Sequence, residues 1–233
     1  MNKYLFLILL LIGGPCLTGE AQKAQGHKQH ENTITAEAAL AKLLQGKKRF
    51  AAHHLQHPDE TRQRQLKLAK EGQHPFAIVL SCSDSRVPPE IIFDEGLGDL
   101  FVIRVAGNIV DDAVIGSIEY AAEHLDVKLL LVLGHENCGA VQAAIENKGE
   151  AHINSLVQAI RPAMKRIREI PAQNGKAENA TKYAGQVVRA NVQHVVELLT
   201  NSEPVLARLR EQQKLKIIGG YYHLANGRVT LLP

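Results

Sequence analysis

The chain has 233 residues, with 27 Lys and Arg against 24 Asp and Glu, for a formal net charge of +3. Hydrophobic residues make up 45% and charged residues 22%, the balance of an ordinary folded domain and not of a disordered, collagenous or coiled-coil chain. So small a charge gives no electrostatic footprint for nucleic acid, and with no Trp, five Tyr and five Phe the chain lacks an aromatic platform for stacking bases.

Met1-Asn2-Lys3 opens with a positive residue, Tyr4 to Ile12 is apolar without a break, and Gly13-Gly14-Pro15 ends the run. An apolar core of about ten residues is too short for a bilayer, which needs roughly 20. Residues 1–21 therefore read as a secretory signal peptide cleaved after Ala21, with an uncleaved anchor as the alternative. A lipid on Cys16 fits poorly, because Pro15 precedes it. The mature protein is expected in the periplasm or secreted, with no membrane attachment. Residues 22–32 are polar and read as a flexible linker, leaving 33–233 as one domain.

Thr35 precedes a helical pattern over 36–54 in which Ala39, Leu40, Leu43 and Leu44 share a face and Glu37 lies in the first turn; Gly46 is expected to end or kink it. Residues 60–71 predict a second, charged helix. Short apolar runs follow at 76–80, 100–105, 129–133 and 216–218, the last continued by Tyr221 and Tyr222. Runs of this kind fit strands buried on both faces of a parallel sheet. Helical patterns occupy 113–125, 138–147, 152–169, 180–199 and 203–213, and the polar stretch 170–180 reads as a loop. The alternation predicts an α/β domain, a mostly parallel central β-sheet flanked by helices.

The chemistry gathers at two strand ends. The first strand runs into Ser81-Cys82-Ser83-Asp84-Ser85-Arg86, the third into Gly134-His135-Glu136-Asn137-Cys138-Gly139. Sites in open α/β sheets form beyond the carboxyl ends of strands. Cys82, His135 and Cys138 would supply two sulfurs and one nitrogen, the three-ligand set of a catalytic zinc with an open fourth position. Two buried thiols beside a packed His form the plainer alternative. A redox pair is another, although there is no Cys-x-x-Cys. Asp84 and Arg86 lie two apart, so they can face one way in an extended segment, and an Arg fork can keep a carboxylate ionised. Taken alone, such a pair would be an ordinary exposed ion pair.

These segments resemble the β-class carbonic anhydrases. CSDSR at 82–86 and HENCG at 135–139 match that family's Cys-x-Asp-x-Arg and His-x-x-Cys signatures, and Val87-Pro88-Pro89-Glu90, Leu100 to Arg104, Asn108 and Gly139-Ala140-Val141 agree with its flanks. The helix with Gly46, Arg49 and Phe50 resembles the family's amino-terminal arm. The resemblance implies a zinc lyase, one Zn²⁺ per chain on Cys82, His135 and Cys138, that interconverts CO₂ and bicarbonate plus a proton. It implies a zinc-bound hydroxide oriented by an Asp84–Arg86 dyad, and Asp84 as a conditional fourth ligand where Arg86 releases it. It also implies a homodimer or a tetramer. In the bicarbonate-regulated branch a Trp stands where this chain has Val79, so Arg104, which matches an Arg of that regulatory site, lacks its partner and no such switch is expected.

Two thiolates cancel the charge of Zn²⁺, which makes it a weaker Lewis acid than a His₃ zinc, so activity is expected to rise through roughly pH 7–9. His53-His54-x-x-His57 offers a second metal site or a proton relay, against the plainer reading of a solvated helix end. Glu136 and Asn137 are expected to serve the turn between the ligands. Two other functions share these residues: hydrolysis of carbon disulfide or carbonyl sulfide, and plain zinc holding, for which an orienting carboxylate is unnecessary.

Overall fold

A computed structural model of the chain describes residues 34–167 and 177–233. The expected signal peptide and linker lie outside these residues, as do 168–176, which take in the end of the expected 152–169 helix and most of the expected loop. Helix α1 spans Ala36–Ala51, and the Thr35 hydroxyl caps it by accepting from the Ala38 N–H at 3.2 Å. Gly46 neither ends nor kinks it. A Cβ at Gly46 would lie 1.6 Å from the Phe93 carbonyl oxygen, so glycine is present because the helix backbone touches the loop beneath it. Helix α2 (Arg62–Glu71) is capped by Thr61 in the same way.

Strands β1 (Ala77–Ser81), β2 (Leu100–Arg104), β3 (Leu129–His135) and β4 (Lys216–Tyr222) are parallel, and β5 (Val229–Leu232) runs antiparallel to β4. The sheet order is β2-β1-β3-β4-β5. Between β1 and β2 lies a four-residue helix, α3 (Pro89–Ile92), that the sequence pattern does not announce. The expected 113–125 helix is α4 (Asp112–Glu119) followed by a wide π-turn at Tyr120–His124. Helices α5 (Gly139–Ile145) and α6 (Ile153–Met164) are shorter than expected, and α8 is Leu206–Glu211. Helix α7 (Ala177–Thr200) begins before 180, so the last part of the expected loop is helical.

Side chains alternate across the pleat. Ile78, Leu80, Leu130 and Val132 pack on one face against Val114 and Ile118 of α4, Val192, Val195 and Leu199 of α7, and Leu206 and Leu209 of α8. Ala77, Val79, Leu129, Leu131 and Leu133 face the other way, onto Ala39 and Leu43 of α1. With helices on both faces, β1 and β3 are buried along their whole length, which is why they read as unbroken apolar runs. Among the described residues no helix is long and apolar enough to cross a membrane.

Candidate metal centre and active site

Register brings the two signature segments together. Ser81, the last residue of β1, pairs with Leu133 of β3 on one side and Arg104 of β2 on the other. Cys82 leaves β1 just beyond that rung, and His135 closes β3 two residues past it. The chain then turns through Asn137, which takes a left-handed backbone (φ 53°), and Cys138 opens α5. The donor atoms of Cys82, His135 and Cys138 lie within 4.8 Å of one another, all three residues being buried. The two sulfurs are 3.9 Å apart and unbonded.

The protonation of this trio follows from its partners. His135 Nδ1 lies 2.9 Å from the Glu136 carbonyl oxygen, which can only accept, so Nδ1 carries the hydrogen. Nε2 is left with a bare lone pair, and it is buried with no hydrogen-bond partner among the described residues. A buried acceptor of this kind is costly unless something fills it. The Cys138 thiol and, against the cost of burial, the N–H groups of Gly107 and Asp84 pull the Cys82 thiol below its ordinary value. The resulting thiolate, with burial, pushes the Cys138 thiol up. One proton is thus held between two sulfurs, and a divalent cation would displace it. Two sulfurs, an orphaned imidazole nitrogen and an apolar surround of Ile109, Val141, Val157 and Ile160 suit a thiophilic cation such as zinc.

Asp84 and Arg86 form a fork-to-fork pair at the mouth. Arg86 Nε donates to Asp84 Oδ1 at 2.9 Å, Arg86 Nη2 to Oδ2 at 2.7 Å, and the Arg86 backbone N–H to Oδ1 at 3.0 Å. The Arg86 side-chain hydrogen bonds, opposed by partial burial, hold the Asp84 carboxyl at about 2. Asp84 Oδ2 reaches to 3.9 Å of His135 Nε2. Asp84 stands outside the three-donor group, with both oxygens taken by Arg86. Arg86 also donates to the Asn137 carbonyl at 3.2 Å, which ties the pair to the turn between the ligands.

Other residues support this arrangement. Arg104, at the end of β2, donates from Nε to the Cys82 carbonyl at 3.1 Å and from Nη2 to the Asp84 carbonyl at 2.6 Å. Val79 is wholly buried against α1. Glu136 does serve the turn: its N–H donates to the Tyr222 carbonyl at 2.9 Å and its carboxylate accepts from the Leu224 N–H at 3.0 Å, pinning the loop to the end of β4. The Gly107 N–H, which donates to Cys82 Sγ at 3.2 Å, carries no sequence signal for that contact. His53, His54 and His57 are exposed and do not converge; among the described residues the group of three or more metal donors is Cys82, His135 and Cys138.

The carbonic anhydrase family model matches residues 77–229, which take in Cys82, Asp84, Arg86, Arg104, His135 and Cys138. A β-carbonic anhydrase of Coccomyxa, solved with acetazolamide, superposes with a TM-score of 0.65 at 26% identity, covering 83% of this chain and 86% of that one. The chain belongs to the β-class carbonic anhydrases. This carbonic anhydrase is 37% identical over 199 residues to carbonic anhydrase 2 of Mycobacterium tuberculosis, spanning 83% of its own length and 91% of the relative. It is 39% identical over 199 residues to the enzyme of Mycolicibacterium smegmatis, spanning 83% and 92%. A tetrameric β-carbonic anhydrase of Sordaria macrospora matches with a TM-score of 0.62 at 25% identity, covering 84% and 95%.

Proposed function

We propose that this carbonic anhydrase holds one zinc ion per chain on Cys82, His135 and Cys138 and interconverts CO₂ with bicarbonate and a proton, with Asp84 and Arg86 as the orienting pair. One observation carries the reading: a buried acceptor nitrogen and two sulfurs converge within 4.8 Å, with an ionised, Arg-clamped carboxylate oxygen 3.9 Å from that nitrogen. Bound zinc supplies acidification of a coordinated water, and hence a nucleophile near neutral pH. Asp84, ionised throughout the working range, can only accept a hydrogen bond there, so it fixes which way the attacking oxygen presents its lone pair. Arg86 keeps that acceptor aimed and charged. Arg104 holds the backbone carrying both, and the apolar cluster behind the sulfurs keeps water from the donors.

The test is stopped-flow CO₂ hydration by the zinc-loaded protein between pH 7 and 9. A rate far above buffer that rises with pH, falls with acetazolamide and vanishes in Cys82→Ser supports the reading. One zinc per chain without CO₂ hydration would overturn it, and turnover of carbonyl sulfide in its place would move the substrate to the sulfur analogues. We further propose that residues 1–21 direct export to the periplasm or beyond and that the mature chain assembles as a homodimer or a tetramer. The mass of the exported chain and its sedimentation coefficient test these two points; a cytoplasmic protein beginning at Met1, or a monomer, would contradict them.

A further inference from the structure

Helix α7 buries the polar side chain of Asn191. Asn191 is 1% exposed and is flanked along the helix by the buried Val187, Val188, Val192 and Val195. Its Nδ2 donates to the Gly107 carbonyl at 2.9 Å, across 84 positions of sequence, while its Oδ1 has no partner among the described residues. A leucine of similar size would fill the same space without burying an unpaired oxygen. Packing therefore does not account for asparagine at this position, and the bond to Gly107 does.

Gly107 is the residue whose N–H meets Cys82 Sγ at 3.2 Å. It sits in the turn Ala106–Asn108 with φ 72° and ψ 13°, the left-handed region that favours glycine. A Cβ there would also lie 2.9 Å from Ile160 Cδ1 and 3.1 Å from Ala140 Cβ. Without a side chain Gly107 has wide backbone freedom, and the Asn191 amide is what anchors its carbonyl side. We propose that Asn191 is a positioning residue of the metal centre: by fixing Gly107 it aims that N–H at the Cys82 sulfur. Hydrogen bonds to a ligating sulfur spread its charge and set its direction, so Asn191 controls how firmly and how strongly Cys82 donates to a metal. This inference rests on the zinc reading given above.

The test compares wild type with Asn191→Leu and Asn191→Ala, each loaded with zinc or with Co²⁺. Loss of zinc to EDTA should be about 10–100-fold faster in the variants, the range in which outer-shell partners act. The sulfur-to-cobalt charge-transfer band should move to longer wavelength, because a sulfur that has lost its N–H donor holds its electrons less tightly. A residue that only supports the fold would lower the melting temperature and leave both the band and the zinc-loss rate in place, and that result overturns the proposal. Wild-type protein that holds no zinc would instead overturn the metal reading and take this proposal with it. Should neither variant fold, wild type loaded with ¹¹³Cd decides. Scalar coupling of the metal to the Gly107 amide proton, with slow exchange of the Asn191 side-chain amide, upholds the relay; absence of either refutes it.

Discussion

Asp84→Asn separates an orienting carboxylate from a bystander. The substitution keeps shape and volume and turns one oxygen into an NH₂. Wild-type Asp84 accepts three hydrogen bonds from Arg86, two on Oδ1 and one on Oδ2. An asparagine with its oxygen at the Oδ1 position keeps two of them and sets its NH₂ against Arg86 Nη2. The flipped amide keeps only one, so the first orientation is favoured. That orientation places a donor at the position 3.9 Å from His135 Nε2 where the wild type has an acceptor. An attacking oxygen there meets a hydrogen it cannot accept usefully, and its own hydrogen loses the partner that aimed it. Losing one positioned proton acceptor costs about 10²–10⁴-fold in rate, or about 3–5 kcal/mol of barrier. Folding stability should change by less than about 1 kcal/mol, since Arg86 is half-exposed. Stopped-flow hydration with zinc content measured on the same sample reads both quantities. A variant that binds one zinc and keeps kcat/KM within threefold of wild type would refute the orienting role and favour plain zinc holding.

Cys82→Ser should cut bound zinc below a tenth of an equivalent by elemental analysis while leaving the circular dichroism spectrum intact; a full equivalent would show that the buried trio is not the metal site. Gly46→Ala should destabilise the fold by about 3 kcal/mol or more in urea, beyond the usual overpacking cost of about 1–3 kcal/mol, because its Cβ meets backbone at Phe93 and not a yielding side chain. Helix propensity alone predicts a gain of about 1 kcal/mol, so the sign of the change decides between the two accounts. Burial, opposed by Lys42 at 3.0 Å, pushes the Glu95 carboxyl up. A carboxyl raised in the folded state makes folding less favourable once pH climbs above its ordinary value near 4.5, and this penalty is absent below it. Urea titrations should therefore find Glu95→Gln more favourable relative to wild type at pH 8 than at pH 4; the reverse order would mean that the ion pair with Lys42 outweighs burial.

Parts of the structure that depend on local pattern were legible in the sequence. Runs such as Leu129 to Leu133 marked the buried strands, Thr35 marked a helix start, and the spacing within 82–86 and 135–138 marked the donor set and the carboxylate beside it. What escaped depends on contacts between distant positions. Strand β4 runs from the expected 216–218 run to Tyr221 and Tyr222 through Gly219 and Gly220, whose reason lies on another element: a Cβ at Gly219 would lie 2.8 Å from Val192 Cγ1, so glycine there lets α7 sit close. Strand β5 is only four residues long and exists because β4 offers it an edge. Gly46 looked like a helix breaker because its close contact is with Phe93, on another element. Asn191 reads as one polar residue in an amphipathic helix until Gly107 is found against it.

The metal donors and the pair proposed to orient the substrate are held by different means, and the difference suits the tasks proposed for them. His135 and the two cysteines are fixed by sheet register and by the apolar layer around them, and a metal needs that rigidity. In their proposed role Asp84 and Arg86 would meet a small molecule arriving from solvent, where packing could not hold them. Backbone atoms do so instead. Arg104 grips the carbonyls of Cys82 and Asp84, the Val87 N–H closes a turn onto the Asp84 carbonyl at 3.0 Å, and the Asn137 carbonyl takes one arm of Arg86. Turning Asp84 inward as a fourth ligand would break three hydrogen bonds to Arg86 together. Acid does not release it, since its carboxyl is held at about 2 by those same bonds, against partial burial. The movable part in any closure is therefore Arg86, and its anchor at Asn137 lies on the turn that carries Cys138. An event that shifts that turn acts on the metal donors and on the orienting carboxylate at once.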